Sequence, residues 1–310
     1  MTSQLAKPGA PAHPDTTAPE ASSRPAPSPI KYRIRRIAFK VFVYAFLLGL
    51  CALILLPVSW MLTAALKPDL EPVFTPAPEW FPTKFWDWDN FVRVLTTSMP
   101  FLRYMINTTI IVVANILGVI LSCSVVGFAF ARLRFRGSKV LFYILIVTML
   151  IPWQALMVPQ FLFFVKIGWY GSYLPLIVPS FTGSAFFIFL IRQYMRTIPK
   201  DLDDAARVDG LNTWQIFYRI ILPLSTPVLT VCAVFTFLAS WNNLLGPLIY
   251  LDNEKSFTVA IGLANLVSRA DTPWNLTMAA NLVSILPCVI LYFFVQKKLI
   301  GGIASVGLKG

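Results

Sequence analysis

The sequence predicts an all-α polytopic membrane protein with six transmembrane helices and a short helix in a cytoplasmic loop. Three observations carry this. Apolar residues make up 57% of the 310 and charged ones 13%, too apolar a balance for an ordinary water-soluble domain. Six stretches reach the roughly 20 apolar residues a helix needs to cross a bilayer. Lys and Arg are distributed unevenly between alternate connecting segments, as the positive-inside rule requires.

Residues 1–29, containing APAHPDTTAPEASSRPAPSP, are rich in Pro, Ala, Ser and Thr. Such a segment buries too little apolar surface to order itself and reads as a disordered cytoplasmic tail. It does not read as a secretory signal, because the Pro-rich stretch precedes the basic cluster and the apolar run that follows is long. A single membrane domain is expected over 30–310, with spans at 41–62, 106–130, 140–165, 174–195, 222–250 and 276–296. Pro152, Pro159, Pro223, Pro227 and Pro247 interrupt or border the third and fifth. These prolines are either packing kinks or flexible points in a gated pathway, and the sequence leaves both open.

With the N-terminus inside, the outside segments hold only Lys67, Lys84, Arg93, Arg103, Lys166, Lys255 and Arg269 of the 26 Lys and Arg. Both termini and the loop at 199–213 are then cytoplasmic. The net charge of +12 is accounted for by topology and implies no nucleic-acid partner. The long outside loop, 63–105, carries Trp80, Trp86 and Trp88, which fit interfacial anchors in contact with membrane lipid and also a contact with a partner outside the membrane.

Several chemistries are excluded. Cys51, Cys123, Cys232 and Cys288 lie in apolar runs with no zinc or redox spacing, and the only histidine, His13, is in the tail. No catalytic residue and no metal site is expected, and no cofactor bound by this chain. There is no G-x-x-x-x-G-K-[ST] loop; RGSK at 136–139 has the wrong order and spacing to cradle a nucleotide phosphate. The spans hold no Asp, Glu, Lys or His, which counts against proton coupling and leaves sodium coupling through carbonyls open.

One polar stretch between spans four and five stands out: DDAARVDG, 203–210. Asp201 is expected to cap a short helix, with Asp203 and Asp204 at its positive end. Asp203 and Arg207 are four residues apart and placed to pair. Ala205 and Ala206 allow close approach. Gly210 is suited to the left-handed turn that ends a helix, and Asn212 or Thr213 to capping the next. The composition alone fits an ordinary capped loop helix equally well.

The run Asp204-Ala205-Ala206-Arg207-Val208-Asp209-Gly210, followed by Ile220-Ile221-Leu222-Pro223-Leu224, resembles the EAA loop of ABC-importer permease subunits. FAFARLRFRG at 128–137 is similar to the segment after the family's second span. IPKDLDDAARVDG and SWNNLLGPLIY (240–250) look like the carbohydrate branch, in its second, shorter permease type, as in maltose permeases. Two departures are present: Asp204 stands where Glu is usual, and Leu211 where Ala is common.

The resemblance implies a mechanism and a set of partners. Asp204, Ala205, Ala206, Arg207, Asp209 and Gly210 would couple the chain to a separate ATP-binding cassette ATPase dimer, which uses ATP and Mg. A second permease subunit would complete the pathway, and an extracytoplasmic solute-binding protein would deliver a sugar, oligosaccharide or related polyol derivative. The location implied is the plasma or inner membrane. Candidate pathway residues are Asn107, Asn115, Gln154, Trp241, Asn242, Asn243 and Asn281, because amides exchange hydrogen bonds readily and an aromatic ring covers a sugar's C–H face. The same residues serve equally as interhelical hydrogen bonds. The rival readings are an ion-coupled secondary transporter and a membrane scaffold or receptor.

Overall fold

The computed structural model describes residues 29–69, 71–76, 79–96, 100–268 and 271–307, with side chains from 33 to 296 within those ranges. The expected tail, apart from Pro29, lies outside the described residues. The chain divides into two units at Leu56 and Pro57. The described part of the first is the leading portion of helix α1 (Pro29–Ala65), whose side chains are almost all exposed, as expected of an apolar helix surrounded by lipid tails.

The second unit holds the rest. Its elements are α2 (Asp89–Thr96), α3 (Phe101–Arg132), α4 (Ser138–Thr148), α5 (Trp153–Lys166), α6 (Leu174–Ile177) and α7 (Ala185–Thr197). Then come α8 (Asp201–Val208), α9 (Thr213–Ile216), α10 (Leu222–Leu224), α11 (Thr226–Trp241), α12 (Leu245–Tyr250), α13 (Val259–Val267) and α14 (Trp274–Gly307). No strand occurs among the described residues.

Among the described residues four helical stretches are long and apolar enough to cross a bilayer, and six if each of two bent pairs counts as one span. The bends fall where proline demands them. α4 and α5 meet at 94° around Pro152, which supplies no amide and sits extended at the start of α5. The expected third span, 140–165, is therefore two half-length helices. The stretch 213–224 meets α11 at 73°, beside Pro223 and Pro227. Before that bend, Phe217–Ile221 is π-helical. A widened turn of this kind re-aims a helix without leaving its carbonyls unpaired. The expected fifth span, 222–250, differs in the same way: α11 ends at Trp241, and α12 is separate. The fourth contains a 3-10 stretch at Val178–Thr182 followed by Gly183, at φ 93°.

α3 is the central post. Its glycines set how closely its neighbours lie. A Cβ on Gly127 would sit 2.9 Å from Ile191 Cγ2, and one on Gly118 would overlap the Ser180 hydroxyl. Small residues at a crossing bring backbones close enough for dispersion to hold helices together where lipid is as apolar as the side chains. Two clusters result. One gathers Cys123, Phe128, Ile191, Met195, Phe217, Ile221 and Cys232 around the later half of α3. The other gathers Phe101, Tyr104, Val112, Trp241, Val259, Leu276 and Ala280 around its start.

Candidate functional site

The stretch at 201–216 folds as two short helices set by local chemistry. α8 begins at Asp201 with Lys200 in the capping position and no side-chain cap, so Asp201 is the first helical residue rather than its cap. Asp201, Asp203 and Asp204 all lie in the first turn and Arg207 in the last, each on the favourable side of the helix dipole. Gly210 turns the chain at φ 81°, with nothing within 4 Å of where its Cβ would stand. The turn therefore depends on glycine through backbone conformation alone. Asn212 and Gln215 then form a reciprocal capping box: the Asn212 side chain accepts from Gln215 N at 2.9 Å, and Gln215 Oε1 accepts from Asn212 N at 2.8 Å. The Asn-x-x-Gln spacing was sufficient to identify this box.

The expected Asp203–Arg207 pair does not form. Arg207 instead pairs with Asp204 on the exposed side of α8, at 3.1 Å. Asp203 turns inward and meets Arg132, the last residue of α3, at 3.4 Å, with side-chain exposures of 8% and 2%. Arg132 also donates to the Ile198 carbonyl at 2.9 Å. The reason is geometric. α8 buries the face carrying Asp203 and Ala206, which points Asp203 at the end of α3. Burial pushes the Asp203 carboxyl above its ordinary range, against the pull of Arg132 and Arg207. Asp203 Oδ1 has no hydrogen-bond partner among the described residues.

The opposite face of α8 is open. Asp201, Asp204, Ala205 and Val208 are exposed there, Val208 at 87%, and Leu202, four residues before the buried Ala206, lies at its margin. The joint is therefore a small helix pinned on one side by a buried ion pair and free on the other. Among the described residues no cluster of His, Cys, Asp or Glu suited to a metal occurs.

The pathway candidates separate into groups. Trp241 is buried, stacks on Phe237 with centroids 5.5 Å apart, and donates its indole N–H to the Ser284 carbonyl at 3.1 Å. Asn281 Nδ2 donates to the Thr277 carbonyl one turn back. Trp241, Asn242 and Ser284 share a cavity of about 290 Å³ between α11, α13 and α14. Asn115 Nδ2 donates to the Ser240 hydroxyl at 3.1 Å, next to Trp241 in sequence, and its Oδ1 is buried without a partner among the described residues. Asn242 is exposed and donates to the Leu238 carbonyl, and Asn243 accepts from Gly246 N. Asn107 lies elsewhere, clamping the carbonyls of Lys255 and Phe257 at 3.0 and 2.9 Å. Gln154 is exposed on α5 and is not brought to the others.

Residues 114–304 match the family described as the binding-protein-dependent transport system inner membrane component. The chain belongs to this family. It is the membrane permease component of an ABC transporter, as the EAA-like segment implied. An arabinooligosaccharide transport permease, AraQ of Halalkalibacterium halodurans, is 34% identical over 222 residues, covering 72% of this chain and 79% of its own length. The trehalose/maltose transport permease MalG of Thermococcus litoralis is 29% identical over 259 residues, covering 83% and 92%. The fold matches a chain of a bacterial ABC transporter that imports the acidic polysaccharide alginate. That match has a TM-score of 0.71 at 24% identity, and it covers 85% of this chain and 97% of the other. These matches favour the ABC permease over the ion-coupled alternative.

Proposed function

We propose that this chain forms one of two membrane-spanning halves of an ATP-driven importer for a sugar, oligosaccharide or related polyol derivative. The arrangement that carries the reading is the 201–216 segment: α8 presents an open face of Asp201, Asp204, Ala205 and Val208, and its other face is pinned to α3 through Asp203 and Arg132. A short helix face that mixes small and charged residues, held at the end of a bundle, suits docking into a groove on a separate ATP-binding subunit. In that role Asp204, Ala205, Arg207 and Asp209 orient the contact, and Gly210 fixes the angle at which force enters α9–α11. ATP and Mg act on the partner dimer, since this chain carries no nucleotide loop. A second permease subunit completes the pathway, and a solute-binding protein delivers cargo on the far side. Both termini lie in the cytoplasm, in agreement with the Lys and Arg distribution.

The sugar class rests on relatives that are arabinooligosaccharide and trehalose/maltose transport permeases. Asn115, Ser240 and Asn242 are the polar groups proposed to meet it. Trp241 acts as a packing anchor behind them, because its ring face is covered by Phe237 and its N–H is used. Mild-detergent purification of the tagged chain from its native membrane, with mass spectrometry of its companions, tests the assembly. A second permease and an ATP-binding subunit in stable ratio are expected. A chain that purifies alone and moves solute in vesicles without ATP would overturn the reading.

A further inference from the structure

At the same end of the unit as α8, the end of α3 and the start of α4 meet the last turns of α7 around a cavity of about 370 Å³. Phe130 comes from α3, Ser138, Lys139 and Phe142 from α4, and Arg192 and Arg196 from α7. Three of these are cations and no acid lines the space. The ion pairs among the described residues use none of the three. Arg192 and Arg196 are one helical turn apart, so their like charges repel unless an anion lies between them.

Arg192 is already oriented. Its Nε donates to the Phe130 carbonyl at 3.3 Å, its Nη1 to Gln193 Oε1 at 3.2 Å, and its guanidinium lies 3.9 Å over the Phe142 ring. Nη2 has no hydrogen bond among the described residues, and Lys139 and Arg196 are exposed. A forked guanidinium beside an ammonium and a hydroxyl matches the oxygens of a phosphate.

Position selects the source of that phosphate. The cavity residues bracket the boundaries expected for spans three and four, at 140 and 195, where a spanning helix passes into the head-group region. Tyr143 also lines the cavity, and beside it α4 exposes Val140, Ile144 and Val147, an apolar strip of no use to a soluble anion. Basic pockets between spanning helices on the cytoplasmic side suit anionic lipids. We propose that this cavity holds the head-group phosphate of an anionic phospholipid whose acyl chains lie along α4.

The test is native mass spectrometry of the full transporter complex, titrated with phosphatidylglycerol or with phosphatidylcholine as the zwitterionic probe. The wild type is expected to retain phosphatidylglycerol selectively. Lys139→Gln and Arg196→Gln, both at exposed side chains, should each weaken retention about fivefold. Arg192→Gln should weaken it most. The control Arg134→Gln/Arg136→Gln, which removes charge outside the cavity, should leave it unchanged. Equal retention in the cavity variants, or equal loss in the control, would overturn the proposal. Displacement of the lipid by millimolar inorganic phosphate would overturn it in favour of a soluble-anion site. Loss of the ATP-binding subunit instead of lipid would overturn it in favour of a protein contact.

Discussion

At the start of α3, Asn90 is fully buried and its amide donates to the carbonyls of Ala65 and Lys67, both at 2.9 Å. Asn275 donates to Lys67 O and to Asp69, while Arg93 pairs with Asp69 at 2.9 Å. Lys67 and Glu71 pair under cover, and Glu71 also accepts from Thr83 N at 3.0 Å. Across the 32 residues of α3, a rise of roughly 45 Å, the other end is held by Arg132, which pairs with Asp203 at 3.4 Å and donates to the Ile198 carbonyl, and by Arg192, which donates to the Phe130 carbonyl. The first end is fastened redundantly by amides and charges that are nearly all satisfied. The second is fastened by fewer polar contacts, with a carboxylate oxygen left over. A redundant lock suits a fixed scaffold, and a sparser one suits the proposed joint, which would move as one piece yet stay adjustable.

The largest expected effect sharpens this contrast. Arg132→Gln leaves a buried carboxylate without its cation and removes the bond to the Ile198 carbonyl, so it should destabilise the chain by about 3 kcal/mol. Asp203→Asn leaves the buried Arg132 without a counter-ion but with the Ile198 carbonyl and a neutral amide oxygen to bond, so it should cost less, about 2 kcal/mol. The double variant should recover most of the loss. Thermal unfolding in detergent reads all three, and equal costs for the two single variants would break the account of this end.

Next in size is Asn90→Leu, which strands two buried carbonyls at the opposite end and should cost about 2 kcal/mol. Uptake per folded transporter should hardly change, since that end is scaffold. Normal stability combined with lost uptake would reverse the roles assigned to the two ends.

The smallest effect is in pH dependence, where the two carboxylates differ in sign. Hydrogen bonds from Arg93 and then Asn275 hold Asp69 below its ordinary range. Its contribution is therefore present above about pH 4 and lost as the pH falls through its folded value. Burial holds Asp203 above the ordinary range, so its contribution is complete below about pH 4 and lost as the pH rises through its folded value. The destabilisation caused by Asp69→Asn should shrink on acidification. Asp203→Asn should instead gain stability relative to wild type as the pH rises from about 4 towards neutral. Parallel pH profiles for the two variants would contradict the opposite environments. Because Asp69 is half-exposed, its effect should stay below about 1 kcal/mol.

Much of this was legible in the sequence because it is local or periodic. The long apolar stretches located the spans, the prolines marked both bends, and Gly210 and Asn212 punctuated the joint where the structure turns and caps it. Side-chain partners across the fold were less accessible. Asp203 had a plausible mate four residues on, and only the packing of α8 against α3 reveals that Arg132, 71 residues earlier, takes its place. The pathway amides show the same limit. Trp241 reads as a sugar platform from its neighbours Asn242 and Asn243, yet packing decides which of its faces is covered. The end of span five is not legible in composition, because α11, the 241–243 turn and α12 form one apolar run, and the break depends on backbone direction.

The central claim is that the 201–216 joint transmits force through the backbone angle at Gly210. The direct test is uptake and ATP hydrolysis measured together in proteoliposomes holding the complete transporter, with Gly210→Val beside Gly210→Asn. Valine resists the positive φ and asparagine tolerates it, and neither meets a neighbour there. The account predicts that the valine variant assembles and hydrolyses ATP but takes up at least about tenfold less solute, a strain of about 1–3 kcal/mol at the joint, while asparagine stays near wild type. Normal coupled uptake by the valine variant would contradict it.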